Sequence, residues 1–502
     1  METTQTNTIM ENTKTTTREV HTLILGAGPS GLAAGLTLAK AGLKPVVLER
    51  DKVSGGLMRS VQHGEFILDI GRKELYNRLA KVDEFWSGLL GADYRVYPRR
   101  AGILYDGKII EMSPAYRGFR RGMSWSLFLR CGWDFLRWRA GLVVSTPRNL
   151  EEYWYKQRGS LLTRIANQGF QEKLAGNKWS EIPLQPASTN GAGTSFFGTI
   201  GQALKRAFSE DSEREAYVYK GIWRHPAKGS GQICECMERG ILEHGGEINL
   251  GARILEIRTS EGRIESVLAD VGAERIEFRP KHVVASTPVE VLEGMLTKKP
   301  SGAQPAPSEA QKAARSRTLI LVYLFVDEAP RFPHVWLQVT CPNTQIGRIA
   351  NYAALNSDMV PKGKTCLCCE IYCFDQNPLP KLTDKELGEL AIRDCAKSGL
   401  IDAAKCSDTH VIRFPGADAS QGRHNWLNEA RQRLLIELRK FKNLYPVNRA
   451  DLDIATVAGL DAAEAIIQGD RSAFDLHIDP IHLGIQKTSK PLEFSHPAGV
   501  RA

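Results

Sequence analysis

The stretch that decides the fold is Val20-His-Thr-Leu-Ile-Leu-Gly26-Ala-Gly28-Pro-Ser-Gly31, continued by Leu32-Ala-Ala-Gly-Leu-Thr-Leu-Ala-Lys-Ala41. Val20 to Leu25 reads as a short strand, the glycines as a turn, and the segment after Gly31 carries helical periodicity. Gly42 supplies a helix stop, and Pro45 to Leu48 reads as the next strand, ending at Glu49. Each part has a physical task. Gly26 permits the tight turn, Gly28 lets backbone approach a pyrophosphate, and Gly31 with Gly35 lets the helix pack closely on the sheet. Phosphates then sit at the positive end of the helix, and Glu49 is placed to accept hydrogen bonds from ribose hydroxyls. These residues imply a dinucleotide-binding α/β unit that NAD or FAD would satisfy equally.

Around this unit lie 502 residues, more than one hydrophobic core accommodates, which implies two to three domains. With 42% hydrophobic and 25% charged residues the composition is that of a soluble globular protein. No stretch approaches the ~18 apolar residues of a spanning helix. Residues 1–18 hold eight Thr and no apolar core, so a disordered tail and a cytoplasmic location are expected. The formal charge of +9 favours acidic partners such as nucleotides, phosphorylated substrates or an anionic membrane surface, unless it is diffuse surface charge. Ten cysteines are too sparse for a disulfide scaffold. Cys366, Cys368, Cys369 and Cys373 fall on one strand-like run with alternating faces, which points them away from any common metal, so no metal site is expected.

After Glu49 come Gly55-Gly56-Leu-Met-Arg59-Ser60 and Gly64-Glu-Phe-Ile-Leu-Asp69-Ile-Gly71. In these segments the sequence resembles the amine oxidase, protoporphyrinogen oxidase and phytoene desaturase superfamily of flavoproteins, nearest the branch of protoporphyrinogen oxidase-like proteins and UDP-galactopyranose mutase. The resemblance covers most of residues 20–470 and implies FAD. It places Gly55, Gly56 and Arg59 at the phosphate and flavin end of the cofactor and runs Asp69 to Lys73 beside the isoalloxazine. Ser30, Arg50, Leu57 and Gly71 complete that end of the expected cofactor set. His225-Pro-Ala-Lys-Gly229-Ser-Gly231-Gln232 resembles the superfamily's glycine-rich return to its FAD domain. Ile254 is then expected beside the adenine, and Val283-Val-Ala-Ser286-Thr-Pro288 resembles the strand and turn that pass the cofactor again. The helix following Val447 implies backbone contacts from Asp453, Ile454, Ala455 and Thr456 near the flavin O2 and N1, although the usual Gly-Asp before it is missing.

The implied fold class is α/β, a Rossmann-like FAD-binding domain with a parallel sheet interleaved with an α+β substrate domain. FAD-domain pieces are expected at 19–75, 220–295 and 440–475, and substrate-domain pieces at 76–219 and 296–439. Pro300 to Pro307 marks one crossing, and 476–502 reads as a C-terminal tail.

Where the branch often has His after Asp-x-Gly, this chain has Gly71-Arg72-Lys73. A cation there would stabilise a reduced anionic flavin or hold an acidic substrate group, and would take a proton only if burial lowers the lysine pKa. Lys73, Arg72 and His225 are the candidate catalytic residues, with His424 a further candidate base. The alternatives are a solvated loop lysine and structural histidines. The expected activity is oxidation of a C–H or C–N bond of a small or lipophilic metabolite by hydride transfer to flavin. Two alternatives stay open: a mutase-like, non-redox use of reduced FAD on a sugar nucleotide, and a non-catalytic escort protein of the same fold. No nucleic-acid motif is present, and the oligomeric state is not legible. Residues 117–148 mix Trp and Phe with Arg, which reads as a peripheral membrane contact or as a helix pair with core aromatics and solvated arginines.

Overall fold

The computed structural model describes residues 15–73, 75, 79–112, 122–144, 146–184, 220–297, 317–374, 377–417, 433–449 and 451–476. They divide into two compact units. One takes residues up to Arg59, from Ile233 to 297 and from 433 onward; the other takes Ser60 to Gln232 and 317 to 417. The described strands, in chain order, are β1 (Thr15–Leu25), β2 (Val46–Glu49), β3 (Ser60–His63), β4 (Phe66–Asp69), β5 (Tyr94–Tyr105), β6 (Lys108–Glu111), β7 (Lys220–Pro226), β8 (Glu247–Leu250), β9 (Arg253–Ser260), β10 (Arg263–Val271), β11 (Glu274–Ala285), β12 (Arg317–Val326), β13 (Trp336–Val339), β14 (Ile346–Asn351), β15 (Thr365–Phe374), β16 (Cys406–Ala417) and β17 (Leu444–Pro446).

The first unit is built on a seven-stranded sheet of order β8-β2-β1-β11-β10-β9, with β17 also on β11. The pairings β8–β2, β2–β1, β1–β11 and β11–β17 are parallel, and β10 and β9 extend the sheet antiparallel. Leu23, Ile24 and Leu25 of β1 are fully buried, as the continuous apolar run of a strand covered on both faces should be. From β1 the chain turns to β2 and β8 on one side, while β11 and β17 flank it on the other. That reversal opens a crevice at the carboxyl end of β1, where the Gly26 turn begins. The Pro29–Lys40 helix has no free face: Gly35 lies where a Cβ would come 2.9 Å from Ile241, and Gly459 of the Leu452–Gln468 helix lies where one would come 2.1 Å from the Ser30 carbonyl oxygen.

The second unit holds an eight-stranded sheet of order β16-β12-β15-β14-β13-β5-β6, with β7 antiparallel to β5. Its central strand β15 is buried on both faces. Cys369 and Cys373 join Val322, Leu324 and the Asp384–Lys397 helix in one core, while Cys366 and Cys368 join Tyr323, Phe325 and Tyr352 in the other. The β3–β4 hairpin adds Phe66, Leu68 and Ile70 to this second core, which fixes where Asp69 and Gly71 lie.

Three sequence expectations are corrected. Thr15 to Arg18, assigned to a disordered tail, open β1 and pair in register with Arg275 to Phe278 of β11, as β-branched Thr favours. The first nucleotide-domain piece ends at Arg59 rather than 75, because the hairpin's apolar side chains belong to the other core. The next piece starts at Ile233 rather than 220, because Lys220–Pro226 pairs with β5. Pro300 to Pro307 and residues 477–502 lie outside the described residues.

Candidate functional site

In the first unit the fingerprint turn is held by both backbone and side-chain hydrogen bonds. The Gly26 amide donates to the Leu48 carbonyl at 2.8 Å, and the Gly55 amide to the Ala27 carbonyl at 2.8 Å, which lays the Gly55-Gly56 turn against the fingerprint. Gly26 takes φ +98°, in the region glycine favours. A Cβ on Gly31 would lie 2.1 Å from the Gly26 carbonyl oxygen, and one on Gly28 would lie 3.2 Å from Ser286 Oγ. Ser286 Oγ is 2.8 Å from Ser30 Oγ, so the turn after β11 closes the cradle. The helix starts with Pro29 after a Gly28 cap that contributes no side chain, and no acid stands in its first turn. Such a helix end offers amide donors and positive potential to a pyrophosphate, so the residues present fit a dinucleotide.

Glu49 sits at the end of β2, where its Oε2 accepts the Ala27 amide at 2.7 Å and its Oε1 the Asp51 amide at 2.8 Å. Each carboxylate oxygen keeps a lone pair for a ribose hydroxyl. Glu49→Gln removes the anionic acceptor without changing shape. Its FAD dissociation constant, titrated on apoprotein by flavin fluorescence, should rise by about tenfold. The amides of Gly251 and Ala252 bond the carbonyls of Asp51 and Glu49 and lead the chain into Ile254, the residue expected beside the adenine. Asp453, Ile454, Ala455 and Thr456 form the buried first turn of the Leu452–Gln468 helix. Arg59 Nη1 donates to Asp51 Oδ2 at 2.9 Å. Of the other residues in the expected cofactor set, the Arg50 side chain is 86% exposed beside Asp51, and Leu57 is exposed.

The second unit shows how the Asp69-Ile-Gly71-Arg72-Lys73 loop is fixed. The Asp69 carboxylate is fully buried and saturated: Oδ1 accepts Ser60 Oγ–H at 2.6 Å and the Ser230 amide at 2.8 Å, and Oδ2 lies 3.1 Å from His225 Nε2. Burial alone would raise its pKa; His225, Ser60 and Ser230 outweigh burial and hold it below the usual Asp value. The carbonyls of Asp69 and Gly71 accept the Tyr352 hydroxyl at 2.7 and 2.8 Å, and Tyr323 donates to the Asp69 carbonyl at 2.6 Å. Gly71, at φ +71°, then turns the chain so that the Arg72 amide meets Glu370 Oε1 at 2.7 Å.

His225 is thereby corrected from candidate base to positioning residue. It has no exposed surface, and its Nδ1 lies 3.0 Å from Asn356 Nδ2. Asn356 Oδ1 accepts the Asp358 amide, so its Nδ2 turns toward the imidazole and donates to the Pro226 carbonyl at 2.8 Å, which itself lies 3.1 Å from His225 Nδ1. His424 lies outside the described residues. Asp69→Asn leaves the shape but removes the charge that His225, Ser60 and Ser230 were built around. A cost of about 3 kcal/mol follows, read as a loss of several degrees in Tm. The sign with pH is fixed by the lowered pKa. The stability from Asp69 is fully present above the ordinary Asp value of about 3.9 and is lost as pH falls through the folded value, so the variant's acid unfolding should be shallower.

Glu370, on β15 and nearly fully buried, was not found from sequence. Arg348 Nη1 lies 2.9 Å from its Oε2 and the Tyr372 hydroxyl 2.6 Å. Burial would raise its pKa, but Arg348, Tyr372 and Arg72 together lower it. Arg72 also stacks its guanidinium 4.5 Å from the Trp336 ring. Lys73 follows, partly exposed but surrounded by enough protein that burial lowers its pKa, against the opposing charges of Asp69 and Glu370. The signal that could have found Glu370 is a single charge inside Thr365-Cys-Leu-Cys-Cys-Glu370-Ile-Tyr-Cys-Phe374, an otherwise buried run.

Comparison with known proteins bears on both units. Residues 29–415 match the model of a family described as flavin containing amine oxidoreductase. Among curated proteins the chain is similar to a 4,4'-diapophytoene desaturase (4,4'-diapolycopene-forming) of Methylomonas sp, 23% identical over 65% of this chain and 63% of the relative. It is also similar to a 4,4'-diapolycopene oxygenase of Methylomonas sp, 24% identical over 54% of this chain and 56% of the relative. The chain thus spans less than two thirds of the length of either curated relative. Among solved structures, reduced UDP-galactopyranose mutase superposes with a TM-score of 0.70 at 16% identity, covering 92% of this chain and 98% of that one. Putrescine oxidase bound to putrescine gives 0.57 at 14% identity, covering 90% and 100%. Likenesses at such identity show the fold, α/β with a flavoprotein topology.

Proposed function

This chain belongs to the family of flavin containing amine oxidoreductases, whose cofactor here is FAD, and from that premise we propose that it oxidises a C–H or C–N bond of a small or lipophilic metabolite. Bound FAD supplies the hydride acceptor. The observation that carries the reading is the cradle: Gly26 at φ +98°, Gly31 where a Cβ would lie 2.1 Å from the Gly26 carbonyl oxygen, Ser286 and Gly55-Gly56 against the turn, and Glu49 at the end of β2. The desaturase among the curated relatives supports a C–H bond as the one oxidised.

The protein's own share of the chemistry is orientation, electrostatics and one proton. The buried first turn at Asp453 to Thr456 presents a helix N-terminus suited to negative charge on a reduced ring. The loop from Asp69 to Lys73 is held by Tyr323, Tyr352 and Glu370, so the Lys73 amine is delivered from a rigid backbone. With its pKa lowered by burial, Lys73 is the group that takes a proton from substrate; protonated, it neutralises developing negative charge.

The test is a visible spectrum of the purified protein, then anaerobic titration with amines, polyenes and sugar nucleotides. Bleaching of the oxidised flavin band by an amine or a polyene is the expected result. Turnover of a sugar nucleotide only after prior reduction, with no net redox change, would replace this reading with a mutase. A colourless protein that FAD cannot reconstitute would leave only the escort reading.

A further inference from the structure

We infer that the Trp125–Arg139 helix is a peripheral docking surface for an anionic lipid bilayer. Trp125 is 64% exposed, Leu129 66%, Trp133 65% and Leu136 39%, and just beyond the helix Leu142 is 75% exposed. At about 100° per residue the four helical positions fall in one narrow stripe. Scattered exposed apolar residues are ordinary on a soluble surface; a continuous stripe containing two tryptophans is not.

The opposite face of the helix is firmly seated. Cys131 and Trp138 are buried, the Trp138 ring meets Tyr155 edge-on at 5.1 Å, and the Asp134 carboxylate accepts the Leu161 amide at 2.8 Å and Ser160 Oγ–H at 3.1 Å. The stripe is therefore presented by an anchored helix, not by a frayed one turned inside out.

Charge selects the occupant. On the same helical wheel Arg130 and Arg137 border the stripe on one side and Arg139 on the other. Long arginine stems can lie along an apolar layer while their guanidinium groups reach phosphate, and tryptophan favours the headgroup boundary. A chain of net charge +9 adds long-range attraction to an anionic surface. Among the described residues no helix is long and apolar enough to cross a membrane, so the contact is one that lies in the interface plane. A second copy of this chain would bring arginine against arginine across the same stripe, which disfavours self-association.

The experiment uses the full chain with FAD bound and two vesicle compositions, phosphatidylcholine alone and phosphatidylcholine mixed with phosphatidylglycerol. Sedimentation should show binding to the mixed vesicles at least about tenfold tighter than to phosphatidylcholine alone, weakening as salt is raised. Trp125→Ser with Trp133→Ser, and separately Arg130→Glu with Arg137→Glu, should each lose at least about tenfold of that binding while keeping the flavin spectrum. Brominated lipid should quench the wild-type fluorescence more than that of the tryptophan variant. Equal binding by the tryptophan variant, or no binding by the wild type, overturns the inference. So does a wild-type dimer in sedimentation velocity that the tryptophan variant turns to monomer, which would make the stripe a contact between copies. Vesicle binding requires no turnover, so its failure and failure of the proposed chemistry are read separately.

Discussion

Gly31→Ala should purify without a flavin band, with FAD affinity lowered by about a thousandfold or more. The added methyl would sit 2.1 Å from the Gly26 carbonyl oxygen, a separation no Cβ tolerates, and the group it meets is backbone. Relief requires either the turn or the helix to move. The turn is fixed by the bonds from Gly26 to Leu48 and from Gly55 to Ala27; the helix is fixed by Gly459 against the Ser30 carbonyl. Overpacking of this kind costs about 1–3 kcal/mol even where neighbours are side chains that can adjust. Here the displaced atoms are those that carry the phosphate-facing amides, so binding falls further than stability. Gly88→Ala is the control: it lies in the Ala80–Leu90 helix with nothing within 4 Å of an added Cβ, and it should bind FAD as the wild type does. Flavin absorbance per protein after dialysis and the melting temperature of both variants measure the difference. A yellow Gly31→Ala protein would refute the cradle.

Lys73→Met is expected to cut kcat by about 10² to 10⁴-fold, the usual worth of a positioned base. The pH dependence separates this role from a structural one. Burial lowers the Lys73 pKa, and only the neutral amine accepts a proton, so the rate should rise with pH through that lowered value and then level. Lys73→Arg keeps the charge and cannot deprotonate in this range; it should lose the rising limb while retaining FAD and melting temperature. If Lys73→Arg keeps both rate and limb, Lys73 holds charge and does not move a proton. Glu370→Gln provides a second check. It removes an opposing negative charge, so it should shift the limb to lower pH.

What the sequence disclosed follows the distance between partners. Gly26 to Gly31 and Glu49 were legible because turn, helix start and strand end are one local unit whose geometry demands those residue types. Ser286 and the Asp453 helix came only through family resemblance, since no local rule ties them to Gly28. The supports of the Lys73 loop were beyond reach: Tyr323 and Tyr352 meet Asp69 across 254 and 283 residues, and Asn356 fixes His225 across 131. His225 was misassigned because a histidine beside a glycine-rich turn looks the same whether it faces substrate or a buried carboxylate. The 125–139 helix was ambiguous because apolar residues ring most of its circumference. Packing decided which tryptophan went inside, Trp138, and which stayed out, Trp125 and Trp133.

The interleaved sheet around β1 also sets a schedule for synthesis. Leu25 pairs with Ala285, Ala285 with Pro446, and the helix whose Gly459 touches Ser30 ends only at Gln468. At about 5–20 residues per second, roughly 20 to 90 s separate translation of Leu25 from translation of the segment that completes its unit. Throughout that interval the sheet edges beside the fingerprint stay open, and the β12–β16 strands of the second unit are all translated before Leu444–Pro446 and the Leu452–Gln468 helix that complete the first. Completion of the cofactor site waits for that last helix, so the nascent nucleotide-binding half is where chaperone dependence and aggregation should concentrate.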